Sequence, residues 1–322
     1  MSHTMDDIFL LAADSGGTKT CFRLLDTAGN IISESRCGGV ASLHPGMLPV
    51  KEHLLDGISR LEFGKKFIHL LYFSLGGPNI GEVENVLDEI FPRTQRIVER
   101  ESNGNMILGT GALLGCSAAV MIGTGSVAVG DMNGKRFFSG GWGPVLDDRG
   151  SGAYLGLQAL RLYLYSIDGR AVCTGLDALF TELSAGLDPL TFDGRMELKR
   201  RANLLTRSEL AALAPQIFSL AEDGCLAAQK LIEETAEDIA SLAASVTGTG
   251  SEKKGILACG GMFQTSETFC KMCSRFLAKH RPEHKFKFLK SSGMIACAAI
   301  RALTLSGITN KKIIMKQLER EA

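Results

Sequence analysis

The sequence lacks any imbalance of charge: 35 lysines and arginines face 35 aspartates and glutamates over 322 residues. That removes the electrostatic basis for nucleic acid or an anionic membrane as the main partner. The small basic clusters, Lys65–Lys66, Lys199–Arg200 and Lys311–Lys312, read as solvated surface. No apolar run reaches the roughly eighteen residues of a spanning helix, and the opening MSHTMDD lacks a signal peptide's basic-then-apolar layout. A soluble, cytoplasmic protein is expected. Histidine is scarce, at six, and no HExxH, GxSxG or Ser/His/Asp order stands out. The nine cysteines are mostly scattered singly in apolar runs, where a free thiol behaves as a small hydrophobe in a reducing compartment. Cys270 and Cys273 form the one C-x-x-C, but TFCKMCSRFLAKH has helical periodicity and no second ligand pair lies at metal spacing. Core packing is the expectation for that pair.

What is present suffices for about two domains of roughly 150 residues each. The chain opens with three short strand patterns, IFLLAAD, CFRLLDT and NIISESR, joined by glycine-bearing turns, and then alternates helix and strand. SAAVMIG, SVAVGDM and KRFFSGG restart the pattern with three more short strands. A meander followed by alternating helix and strand, occurring twice, predicts two related α/β lobes. From 150 to about 250 the pattern is helical and amphipathic, and strand–helix alternation returns at the end.

Three glycine turns fall at comparable places in this grammar. DSGGTKT (14–20) follows the first strand pattern, GTGS (123–126) occupies the equivalent place in the second meander, and ACGGM (258–262) lies between a strand and a helix. Glycines let the backbone approach phosphate oxygens closely, and a strand-end carboxylate suits a divalent metal or its waters. One such turn is commonly just a turn; two, one per lobe, suit the β- and γ-phosphates of one nucleotide. GGTKT is not the GK[ST] of a P-loop, and GTGALLG at 109–115 is not the dinucleotide fingerprint.

DSGGTKT, GTGS, GGWGPVLDDRGSGAYLG and ACGGM, in this order and spacing, resemble the N-acetylglucosamine kinase-like branch of the BadF/BadG/BcrA/BcrD ATPases, within the actin-like, hexokinase and Hsp70 superfamily. The resemblance spans nearly the whole chain. It implies an α/β fold of two ribonuclease H-like lobes with an interlobe cleft and a helical insertion at about 150–250. The N-terminal lobe would comprise 1–115, with a helix at about 305–322 packing back on it, and the C-terminal lobe 116–304. It further implies Mg²⁺-ATP as cofactor, Asp14 facing the metal, and Gly16, Gly17, Thr18 and Lys19 about the phosphates. Thr124, Gly125 and Ser126 would form the second phosphate motif, Gly260 and Gly261 would meet the adenosine, and the chain would be a homodimer. The NDKCAAGTG-like segment that ligates an iron–sulfur cluster in related dehydratase activators is not found, so no cluster is expected.

Departures concentrate on the substrate side. Kinases resembling this chain end the strand before RESNGNMILGTG with an aspartate that accepts the sugar hydroxyl's proton. Gapless counting back from GTGS puts that position at Gly104, beside Asn103, and neither is an acid. Glu101, three residues away, is the tentative base; a solvated strand-end glutamate is its plainer reading. In VLDDRGSG, Asp148 is retained and, as the resemblance implies, would be the sugar-hydroxyl ligand, while Asp147 stands for a usual glycine and Arg149 for a usual glutamate, where it could clamp an anionic group. Ser42, Gly77 of LGGPN and Trp142, the single tryptophan, complete the substrate-side candidates. The expectation is ATP-dependent phosphorylation of an amino-sugar hydroxyl. The rival is a weakly hydrolytic nucleotide or sugar sensor that acts on a partner.

Overall fold

The computed structural model describes residues 8–42, 45–62, 67–132, 134–172, 175–248, 254–289 and 293–319. The opening MSHTMDD, Lys65–Lys66, Cys173 and residues 320–322 lie outside them. The chain divides into two compact units, 1–114 with 289–322, and 115–288.

The first unit begins with β1 (Ile8–Ser15), β2 (Lys19–Asp26) and β3 (Ile31–Gly38), an antiparallel meander. Then come α1 (Val50–Ser59), β4 (Phe67–Leu75), α2 (Ile80–Ile90), β5 (Gln95–Arg100) and α3 (Asn105–Leu113). The strands form one sheet in the order β3-β2-β1-β4-β5, with β1, β4 and β5 parallel. Strands buried on both faces carry near-continuous apolar runs, as FLLAA of β1 and the fully buried stretch of β4 do. Leu11, Ala13, Phe22 and Phe73 pack under Leu54 of α1 and Val83 and Leu87 of α2.

The second unit repeats the plan. A meander of β6 (Cys116–Ile122), β7 (Ser126–Met132) and β8 (Lys135–Gly140) leads into a helical stretch. This holds α4 (Gly152–Ile167), α5 (Phe192–Ala202), α6 (Arg207–Ala212), α7 (Ala214–Glu222) and α8 (Leu226–Ser245). β9 (Gly255–Cys259), α9 (Glu267–His280) and β10 (Lys285–Phe288) close the unit, giving the sheet order β10-β9-β6-β7-β8. Read from the meander edge, both sheets run third, second, first, fourth, fifth strand, with the last two joined in parallel. This duplicated order gives the two related α/β lobes that the restart at SAAVMIG predicts, and it is the actin-like ATPase plan that the resemblance implies.

The chain then returns to the first unit through α10 (Gly293–Leu305) and α11 (Lys311–Glu319). This corrects the expected boundary: residues 289–304 group with the first unit, because the buried face of α10 covers β1 and β4. The helix α11 packs on the β2–β3 hairpin, where buried Gln317 donates from Nε2 to Gly29 O at 2.7 Å and accepts from Arg23 Nη1 at 3.3 Å. Among the described residues no helix is long and apolar enough to cross a membrane.

Candidate active site

Parallel strands direct their carboxyl ends to one edge of a sheet, and in open α/β sheets ligands bind there. In the first unit Ser15, Leu75 and Arg100 are level at that edge, as are Asp14 and Ser74 one step below. The turn beyond β1 is braced from beneath. Gly16 N donates to Lys19 O at 3.0 Å, Gly76 N to Ser15 O at 2.9 Å, and Ala41 N to Gly16 O at 3.2 Å. The buried hydroxyls of Ser15 and Thr20 lie 2.7 Å apart; Thr20 donates to Gly38 O, and Ser15 accepts from Val40 N. These two hydroxyls are thus spent on the fold, whereas Gly17, Thr18 and Lys19 face outward. Gly39 is required for the bracing, since any Cβ there would enter the Gly16–Gly17 backbone.

Glu101 is not a solvated strand end. The strand β5 stops at Arg100, a single 3-10 turn (Glu101–Asn103) follows, and left-handed Gly104 (φ 70°) hands the chain to α3. The acid therefore follows the strand immediately, and gapless counting misses it because the 3-10 turn separates strand from helix. Its carboxylate packs over Gly76, with Oε2 2.9 Å from where a Cβ would stand there. Burial pushes the Glu101 carboxyl above the usual carboxylate range, and the charge of Asp14 pushes it the same way. Asp14 is raised too, chiefly by burial, against smaller opposing effects of Ser74 and Lys19. The structure thus brings two half-buried carboxylates together, both held above the ordinary carboxylate range. Asn103 lies exposed on the 3-10 turn.

Ser42 and Gly77 sit at the same edge and hold two loops together. Buried Asn79 accepts from Ser42 N at 2.9 Å and donates to Val40 O at 2.9 Å. Gly77 presses so close that a Cβ would lie 2.8 Å from Ser42 N. The sequence reading names LGGPN but misses Asn79, the residue that brackets the loops.

In the second unit the Gly123–Ser126 turn is stapled to the segment before α4. Gly152 N donates to Gly123 O at 2.8 Å, Ser126 Oγ donates to Arg149 O at 2.7 Å, and Asp148 Oδ1 accepts from Ser126 N at 3.3 Å. Asp148 is 3% exposed and left-handed at φ 62°, a conformation aspartate tolerates better than most residues. Of the two aspartates in VLDDRGSG, the one with positive φ is thus Asp148, not Asp147. Its second oxygen pairs with Arg207 of α6, so both oxygens are engaged within this unit. Arg149 turns away: it pairs with Asp238 of α8 at 2.8 Å and lies over the Tyr154 ring. The guanidinium at the turn is therefore Arg207, which sequence reasoning overlooks. The capping box Thr206…Glu209 marks a helix start legible in TRSEL, but nothing local signals where its arginine reaches.

Gly260 (φ 112°) is dictated by backbone approach, because a Cβ would strike Ile122 at the end of β6. Gly261 has open space and is the one of the pair with room for a ligand. Trp142 is 73% exposed between left-handed Gly141 and Gly143.

Both units carry a glycine turn after the first strand of a duplicated meander, and these sheets have the fold of the actin-like ATPases. The chain belongs to the BadF/BadG/BcrA/BcrD ATPase family, whose sequence model matches residues 13–285. It is 26% identical over 257 residues to a glucosamine kinase of Vibrio cholerae, covering 76% of this chain and 82% of that protein. An N-acetylmuramic acid/N-acetylglucosamine kinase of Clostridium acetobutylicum is 20% identical over 310 residues, 91% of this chain and 97% of that one. A solved structure of a proposed N-acetylglucosamine kinase from Chromobacterium violaceum superposes with a TM-score of 0.66 at 22% identity, covering 93% and 99%. A ROK family glucokinase from Streptomyces griseus, solved with glucose and AMPPNP, gives 0.58 at 15% identity, covering 92% and 99%.

Proposed function

We propose that this chain is an ATP-dependent kinase of amino sugars, transferring the γ-phosphoryl group of ATP to a sugar hydroxyl. The observation that carries the reading is the Asp14–Glu101 pair at the carboxyl edge of the first sheet, beside a turn whose outward residues are Gly17, Thr18 and Lys19. Two carboxylates in one half-buried edge divide naturally into a metal-facing group and a proton acceptor. Asp14 takes the first role because Lys19 and the glycine turn adjoin it, and Glu101 takes the second because no cation offsets its charge. Glu101 would accept the proton of the attacking hydroxyl, and the backbone of the two glycine turns would hold phosphate oxygens.

The residues present fit a magnesium ion. Among the described residues no three His, Cys, Asp or Glu side chains cluster, so an all-protein cage is not assembled. Mg²⁺ is usually held by one or two carboxylates, phosphates and water. Beside Asp14 the Ser74 hydroxyl is buried without a hydrogen bond of normal geometry among the described residues, although close enough to temper the carboxyl. Mg²⁺ bound at Asp14 would neutralise phosphate charge. The eight described cysteines are free thiols, which supports a cytoplasmic location. The sensor reading drew on the missing acid at Gly104; Glu101 beside Asp14 supplies that acid from another position.

Coupled ADP release with Mg²⁺-ATP should be measured across glucosamine, N-acetylglucosamine, N-acetylmuramic acid and glucose. The expected result is turnover dependent on at least one amino sugar. ATP binding without stimulation by any of the four would count against the kinase. The same panel has an optical readout. Trp142, the single tryptophan, is largely in water, so a sugar stacking on it is expected to blue-shift and alter its emission. Unchanged emission at a saturating concentration of a turned-over sugar would remove Trp142 from the substrate side.

A further inference from the structure

Arg207 has no part in the chemistry above, yet its guanidinium lies on the second glycine turn. A Cβ at Gly125 would enter it, and Asp148, which pins the same turn through Ser126 N, is its ion-pair partner. A guanidinium given over to structure normally engages a carboxylate through two parallel N–H groups. Here Asp148 has one oxygen committed to Ser126 N, so Arg207 is held through Nη2 alone. Its Nε is buried with no hydrogen-bond partner among the described residues, a costly state for a charged donor. The side chain is nonetheless 34% exposed. Arg149, the cation expected to clamp an anion, is occupied by Asp238.

We infer that Arg207 is the phosphate-recognising side chain of the second turn, resting on Asp148 and Gly125 in the free chain and turning its fork to the terminal phosphate oxygens of a bound nucleotide. The identity of the anion rests on the kinase reading; the presence of an under-used guanidinium on Gly125 does not. A planar fork with unmade donors matches a tetrahedral oxyanion better than a neutral sugar hydroxyl. Asp148 acts here as a positioning residue, keeping the arginine beside the turn.

The test is calorimetric titration of the full chain with ATP, ADP and adenosine, in the presence of Mg²⁺ and without sugar. In Arg207→Ala, ATP and ADP affinity should fall about ten- to a hundredfold, the usual size of a hydrogen bond to a charged group, while adenosine affinity stays unchanged. Arg207→Lys keeps the charge and loses the fork, so its loss should be smaller and confined to the phosphorylated ligands. Because Arg207→Ala strands a buried Asp148 charge, the comparison is repeated as Arg207→Met in an Asp148→Asn background, against Asp148→Asn alone. The same phosphate-selective loss is expected there. Equal losses for adenosine and ATP, unchanged ATP affinity, or tighter ATP binding in the variants would each overturn the inference. If the wild-type chain binds ATP and turns over an amino sugar while the variants bind ATP normally, only the arginine assignment fails. A wild-type chain that binds no nucleotide overturns both.

Discussion

Asp14→Ala is expected to lower sugar-dependent ADP release by about a thousandfold or more, at the upper end of what one preorganised electrostatic group supplies. The side chain stands at the carboxyl end of β1, level with Ser74 and one step before the braced turn, so its removal takes away the carboxylate nearest to the phosphate-facing residues. The fold should survive. The turn is held by Ser15, Thr20 and Gly76 rather than by Asp14, and losing one of two repelling carboxylates relieves burial and repulsion together. The check is steady-state turnover with Mg²⁺-ATP and the responsive sugar, beside a thermal melt. A variant as stable as the wild type that retains more than a tenth of its turnover would deny Asp14 the metal-facing role.

Glu101→Gln should cost about a hundred- to ten-thousandfold in kcat, the range of a general base, with the KM for ATP little altered. Its pH behaviour separates a base from a structural acid. Glu101 must be ionised to accept a proton, and its carboxyl is held above the ordinary value by burial and by Asp14. Wild-type kcat should therefore rise with pH beyond the ordinary glutamate pKa of about 4.3, and in Glu101→Gln that rise should vanish. Stability runs the other way. A carboxyl whose pKa is raised on folding binds more protons native than unfolded between the two values, so its contribution is full below the unfolded pKa and declines as pH rises through the folded one. Glutamine never ionises, so the variant should melt higher than wild type at pH 8, with a smaller gap at pH 5. Lower stability at both pH values, or a wild-type pH profile kept by the variant, would make Glu101 structural.

The local half of this molecule was legible in its residues. Alternating glycine turns and short apolar runs place β1 to β3 and β6 to β8 within a residue or two, because hydrophobic period and turn chemistry act over a few positions. The same holds for α4 and α8, whose periodic faces are strong. The domain boundary was less legible: GMIACAAIRALTL reads as a helix, but which sheet its small-residue face covers depends on partners far away in sequence.

The site divides along the same line. DSGGTKT and GTGS are recognisable because a phosphate turn is a local device, made of neighbouring backbone NH groups and the glycines that expose them. Glu101 is only a tentative candidate in the sequence, since counting from GTGS measures chain distance while its approach to Asp14 depends on the register of β1 with β4 and of β4 with β5. Nothing local in the sequence marks Arg207. Its contact with Asp148 and Gly125 spans 59 and 82 positions and is made by the packing of α6 on α4. Sequence alone determined the duplicated strand grammar and the glycine turns, which follow from nearest-neighbour chain chemistry. Tertiary structure alone decided which carboxylates share a half-buried edge and which arginine rests on a turn, because burial and Coulomb interaction act through space.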